Sequence, residues 1–526
     1  METNSKKVPE MLKSTIVTAA ALLALSTTFS QEGDPKKANQ YLSLGNFEAA
    51  LDEYVLLAED EPENMKYNYR TGVCYLNING DKSKAVPFLE NAVNSDDVEN
   101  NAYYLLGRAY HYVHKFDKAI EIYKKFKEAG GGTAASTVEV DNQIQYCYNA
   151  KELVKFPVNV TFENLGKNVN SVFADYFPFV PVNESFLVFN SKRDEYSEEM
   201  PNGLFAANVY MSKVDDGQFT KAIPLGQNIN TVDGIEEVIG LSANGDIMLL
   251  LFDNKKASGD MFITHKAGES FDEPVKLEET INSGGQEIAA SISKDGSTLY
   301  FASSRKDGFG GTDIYISKKL PIGGWGPPQN LGPEINTPFD EDFPNISPDG
   351  SSLYFSSKGH TSMGGYDIFK AMWSTKKKKF VNVRNIGYPL NTSHDDMNFR
   401  VSGTGRYGYI AAIRPEGLGG FDIYRVTFNV VEPQYTIIKG TIRSSDPNKQ
   451  IEDVIIDITD KKTGDLYGSY LPNFNTMRYV IILPPGEYEL FVEPLEHKTI
   501  IEDINILDKS SFEAEIEKDI IVTPTN

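Results

Sequence analysis

Cysteine, histidine, positive charge and long apolar runs are all scarce in this chain, and each scarcity removes a class of function. Two cysteines in 526 residues cannot build a disulfide framework, and Cys74 and Cys147 both fall in helical patterns where a buried free thiol is the usual state. The six histidines, His111, His114, His265, His360, His394 and His497, do not meet ligands at a zinc-like spacing. There is no Gly-x-Ser-x-Gly elbow, and spacing nominates no Ser, His and acid set, so no catalytic residue is assigned. Lysine and arginine number 51 against 74 acids, a net charge of −23, which argues against nucleic acid or anionic lipid as principal partner. The apolar run from Ile16 to Leu25 is too short to span a bilayer. With Lys6, Lys7 and Lys13 before it and the small Thr28 and Ser30 after it, residues 1–30 read as an export signal cleaved before Gln31. No cysteine follows the run, so lipid attachment there is not expected.

What the chain does contain is repetition. Glu287, Ser293-Lys294-Asp295-Gly296, Leu299-Tyr300-Phe301, Gly311-Thr312-Asp313-Ile314-Tyr315 and Leu331 to Asn336 return as Glu341, Ser347-Pro348-Asp349-Gly350, Leu353-Tyr354-Phe355, Gly365-Tyr366-Asp367-Ile368-Phe369 and Ile386 to Asn391. A period of roughly 53 residues suits one four-stranded propeller blade and is too long for a helical pair. Asp-Gly between apolar runs supplies the positive φ of a tight hairpin, and paired glycines lead into the third strand. The closing words end at Asn170, Asn230, Asn282, Asn336 and Asn391. The last set of strands, Asp396 to Phe428, has no fourth strand after it, so the strand within 156–164 is expected to complete it and close a five-bladed ring.

Aligned on their turns, the blades place Asp175, Glu236, Glu287, Glu341 and Asp396 in one column before the innermost strands. Five carboxylates at one mouth of the channel would raise one another's pKa unless a cation intervened. Two readings follow: pairing with Lys192, Arg305, Lys358 and Arg414, or binding of a cation such as calcium. No other cofactor is expected.

Before the ring, Gly72 and Gly107 stand about 35 residues apart, the period of tetratricopeptide helical pairs. Tyr41, Tyr67, Tyr69, Tyr103 and Tyr104 are the candidate partner contacts on the concave face such an array presents. After the ring, short apolar strands parted by turn residues read as a sandwich. The expected architecture is therefore multidomain: a signal at 1–30, an α-helical tetratricopeptide-like array at 31–154, an all-β five-bladed propeller at 155–431, a small β-sandwich at 432–521, and a tail or linker at 522–526.

Ser347-Pro348-Asp349-Gly350, the Leu-Tyr-Phe words and Gly-Gly-x-Asp-Ile-Tyr/Phe at 310–315, 364–369 and 419–424 resemble the TolB-type, WD-repeat-like propellers. Lys439-Gly440-Thr441-Ile442 and Leu483 to Tyr488 resemble a carboxypeptidase-regulatory-like domain. The order of parts is similar to the PorE-like periplasmic components of the type IX secretion system, within a wider group of OmpA-family envelope proteins. This resemblance implies a non-catalytic periplasmic scaffold, associated with the outer membrane, whose partners are envelope or secretion-system proteins. An OmpA-like domain is not recognisable after Ser511, so peptidoglycan is expected as a partner only if a further domain or protein supplies it. The alternative is a carbohydrate- or peptidoglycan-binding module, or a hydrolase with its site at the propeller mouth.

Overall fold

The computed structural model describes residues 32–94, 101–130, 134–194, 197, 199–231, 234–254, 257–429, 436–474, 476–506 and 515–525; the expected signal at 1–30 lies outside them. Helices come first: α1 (Pro35–Ser43), α2 (Phe47–Asp60), α3 (Met65–Asn77), α4 (Ala85–Ala92), α5 (Asn101–Tyr112), α6 (Phe116–Glu128) and α7 (Ala134–Leu153). Polar caps start several of them. Asp34 accepts from the N–H groups of Lys36 and Lys37 with Pro35 in the first turn, and Asn46 and Asn64 cap α2 and α3. Each helix packs on the next, and small residues set the approach. A Cβ on Gly72 would stand 2.5 Å from Leu89, and one on Gly107 would stand 2.5 Å from the buried ring of Tyr123. Cys74 and Cys147 are free and buried, and burial pushes both thiols up to about 12.

The β-rich part holds five antiparallel sheets whose first strands are Asp175–Phe179, Ile235–Leu241, Ala289–Ile292, Glu341–Ile346 and Arg400–Val401. The turns expected between first and second strands are present, with Gly296 and Gly350 at φ +69° and +71°. Apolar side chains join each sheet to the next. Val188 and Val238 share one cluster, Ile239 and Phe301 the next, Phe355 and Ile314 a third, and Ile368 and Ile410 a fourth. Ile423 of the fifth sheet then packs with Leu187 and Phe189 of the first. The fifth sheet is completed by Val160–Asn164, antiparallel to Asp422–Phe428 with Val160 opposite Phe428. The result is a propeller-like ring of curled sheets.

The last part has two four-stranded sheets facing a common core that includes Ile438, Ile456, Ile481, Leu490 and Val522. This corrects the expectation of a tail beginning at residue 522. Ile520–Val522 is a strand parallel to Thr436–Ser444, and Val522 is fully buried. Three consecutive apolar residues, Ile520, Ile521 and Val522, are too few to read as a strand in sequence.

Gly107→Ala should cost about 1–3 kcal/mol of stability, since the added methyl must displace a buried ring rather than a flexible tip. Urea denaturation of the helical part checks this; an unchanged midpoint would show that α5 and α6 can separate without loss.

Candidate functional site

The closing asparagines are built as clasps. In each, Oδ1 accepts the backbone N–H and Nδ2 donates to the backbone C=O of one third-strand residue. The partners are Val209 for Asn230, Met261 for Asn282 and Ile314 for Asn336, at 2.8 and 3.0 Å in each case. Asn391 does the same to Ile368 at 2.7 and 2.8 Å. Asn170 grips Ile423 at 2.8 and 3.0 Å, fastening the start of the ring to its end.

The residue after each clasp holds the acid column. Ser171, Thr231, Ser283, Thr337 and Thr392 each donate a backbone N–H and a hydroxyl to Asp175, Glu236, Glu287, Glu341 and Asp396 in turn. Ser303 and Ser357 add a bond to Glu287 and Glu341 at 2.5 and 2.6 Å. All five carboxylates are buried. Burial raises Glu341 and Asp396 to about 7, against the hydrogen bonds that pull them down. Each acid is turned to its own loop. Among the described residues no group of three or more His, Cys, Asp or Glu is placed to hold a metal ion.

The basic partners also differ from expectation. Arg305 does reach Glu287, at 3.4 Å, but Asp175 is paired with Arg193 at 3.0 Å, while Lys192 lies 6.0 Å from the centre of the Tyr176 ring. Lys358 pairs with Asp340 at 2.9 Å, and Arg414 sits 3.3 Å over the ring of Phe162.

Two cavities lie close to these residues. The channel mouth, about 530 Å³, is lined by the neighbours of the acids, Tyr176, Glu237, Ile288 and Met397, together with Phe177 and Phe343. The last two have φ of +52° and +49° where their strands lose register, and their rings pack at 4.7 Å. The Tyr176 hydroxyl donates to Glu237 at 2.5 Å. Burial holds the Glu237 carboxyl above its usual range, opposed by that bond and by Lys192.

The second cavity, about 410 Å³, lies where the helices meet the ring. Three contacts pin this junction: His111 Nε2 donates to the Met363 carbonyl at 2.8 Å, Asn149 to that of Ser362 at 2.7 Å, and the Tyr146 hydroxyl to that of Lys358. Met363 itself is buried in the helical core, and the His394 ring stacks on Tyr112 at 4.5 Å. The paired glycines make room. A Cβ on Gly364 would stand 2.5 Å from the carbonyl oxygens of Thr392 and His394, and one on Gly365 2.0 Å from Asp395.

Of the five nominated tyrosines, Tyr104 lines this cleft, and its hydroxyl donates to Glu139. Tyr41 and Tyr67 pack against the core of the first helices, and Tyr69 and Tyr103 against the larger helical core. Sequence reasoning passed over Arg108, Tyr112 and Tyr146, all on the cleft. The nearest signals were His394 and Asp395 beside the acid column and the glycine pair at 364–365.

Burial pulls His111 and His394 down to about 4. A neutral ring of this kind adds stability that is whole above the unfolded value of about 6.5 and is lost as pH falls toward the folded value. Glu341 and Asp396, raised to about 7, act in the opposite sense: their contribution is present at low pH and is lost as pH rises through about 7. A local readout is therefore needed. Amide protection factors in α5 and in 359–366, taken relative to intrinsic exchange at each pH, should fall between about pH 6.5 and 4, and His394→Phe, which keeps a ring on Tyr112 without a base, should reduce that fall. An equal fall in the variant would remove His394 from the account.

No family model matches the chain, and no curated relative matches it. Among solved structures it is similar to a protein assigned as TolB from Agrobacterium tumefaciens, at 14% identity over 62% of this chain and 97% of that one, with a TM-score of 0.30. It is also similar to Bacteroides ovatus xyloglucan PUL GH43B, at 12% identity over 65% and 80% of the two chains, TM-score 0.26. A puromycin-hydrolyzing peptidase of Mycobacterium tuberculosis matches at 11% identity over 52% and 38%, TM-score 0.25. At these scores the likenesses carry no argument about activity.

Proposed function

We propose that this chain is a non-catalytic scaffold of the cell envelope, acting in the periplasm beside the outer membrane and most naturally within a type IX secretion apparatus. In this reading 1–30 is the export signal, the helices are a tetratricopeptide array, the five sheets are five blades, and the C-terminal sandwich is a carboxypeptidase-regulatory-like spacer. Its partners are envelope or secretion-system proteins, with peptidoglycan reached through another domain or protein. The observation that carries the reading is the junction cleft. The helical side chains of His111, Asn149 and Tyr146 reach backbone carbonyls of the ring to form one composite wall, and preformed faces of this kind suit protein recognition without a cofactor.

A second reading has one observation in its favour. The channel mouth encloses about 530 Å³ around Glu237, whose carboxyl is raised by burial and hydrogen-bonded by Tyr176, an environment that a general acid requires. It would serve a carbohydrate-binding module or a hydrolase.

An affinity capture from envelope extract with the mature chain, with peptidoglycan sedimentation on the same sample, separates the two. Recovery of secretion-machine proteins without sedimentation is the expected result. Sedimentation with purified peptidoglycan, or release of sugar from it that Glu237→Gln abolishes, would replace the scaffold reading with the second.

A further inference from the structure

The junction cleft holds a guanidinium that no carboxylate of the described residues pairs with. Arg108 projects from α5 into the cavity, and its Nη2 donates to the Tyr112 hydroxyl. The acids on the cleft are engaged elsewhere. Glu139 accepts from Tyr104, Asp395 accepts the N–H of Tyr366 at 2.8 Å, and Asp340 behind Lys358 takes that ammonium.

Other bases crowd the same place. Lys82, held by the carbonyls of Leu76 and Ile78, is brought down to about 8 by burial and then by the Arg108 charge. His394 is held neutral by burial first, then by the Lys82 ammonium, with Asp395 opposing and Arg108 also acting on it. The charges that repel here are therefore those of Arg108 and the nearby Lys82. An anion on the cavity side of Arg108 would relieve that repulsion and complete the guanidinium's hydrogen bonds.

We propose that this cleft binds a carboxylate carried by a polypeptide segment, with Arg108 as its charged anchor. About 410 Å³ holds a few residues rather than a folded domain. The carboxamides of Asn142 and Gln143 line one wall and pair with peptide groups in either direction, while the ring of Tyr104 adds apolar surface. The proposal rests on the reading of the chain as a partner-binding scaffold and does not depend on which apparatus it serves.

A random peptide library with free carboxyl termini, selected on the full chain, tests it directly. Recovered peptides should be enriched in Asp, Glu or an essential terminal carboxylate. They should bind Arg108→Gln about tenfold more weakly or worse, roughly 1.4 kcal/mol, and regain part of that loss in Arg108→Lys. An unchanged circular dichroism melt for Arg108→Gln separates lost binding from lost folding, and Lys358→Gln serves as a second variant on the opposite wall. Peptides without acidic enrichment, or with equal affinity for Arg108→Gln, would overturn the anchor while leaving the scaffold reading in place. Recovery of no peptide would overturn the proposal and weaken that reading as well. Binding of oligoglucuronate through Arg108, with no peptide bound, would transfer the cleft to a carbohydrate ligand.

Discussion

The ring depends on one repeated interaction, the asparagine side chain that joins a third strand as though it were one more residue of a ladder. A primary amide is the side chain that can accept from a backbone N–H and donate to the C=O of the same residue at once. Asp would offer no donor and Leu neither group, leaving a buried N–H and C=O unpaired at about 1–3 kcal/mol each. The clasp at Asn170 differs from the other four in one respect: it joins the first closing word to Ile423 across nearly the whole ring. With Val160–Asn164 paired to the same strand, the long-range closure rests on backbone and amide hydrogen bonds as well as on the apolar contact of Ile423 with Leu187.

The acids and glycines follow from the clasp. Once an asparagine fixes where a sheet ends, the chain must turn sharply into the next, and the following Ser or Thr supplies a hydroxyl and an N–H that need an acceptor. The carboxylate four or five residues later is that acceptor. The turn also passes close to the preceding third-strand loop. A Cβ on Gly310 would lie 1.7 Å from the Phe339 carbonyl, and one on Gly419 2.3 Å from that of Val172, so the glycine pairs are required by crowding between sheets. Their presence in the repeated words is a packing requirement first.

That distinction marks how far the chain was legible. The order of strands, the hairpin turns and the small residues between helices are local or periodic, so spacing carried them. The acid column was legible as a column but its loop bonding was not, because burial and loop bonding are tertiary facts. Yet the Ser or Thr after each asparagine, four or five residues before each acid, stood in the sequence as a sufficient clue. The cleft was not legible. Arg108 and His394 belong to parts of the chain with no shared period, and what brings them together is the docking of α5 on the loop around Met363. The tyrosines invited attention by composition, and all five are half-buried against the helical cores.

The location of the cleft then shapes what binding there would do. Its walls belong to two differently built parts held by few polar contacts, one of them through a histidine whose neutrality depends on staying buried. A ligand that touches both walls binds the docked arrangement and not the separated one, so it adds RT ln(1 + [L]/Kd) to the docking free energy, about 2.7 kcal/mol at a hundredfold excess over Kd. Occupancy and junction rigidity are consequently linked, and the linkage is reciprocal. Whatever loosens the junction without touching the ligand must weaken the ligand by the same factor. The channel mouth has no such coupling, since the side chains that enclose it are held by the ring, apart from Asn79 at its lip. A scaffold that must respond to what it holds therefore has its responsive site at the seam rather than in the ring.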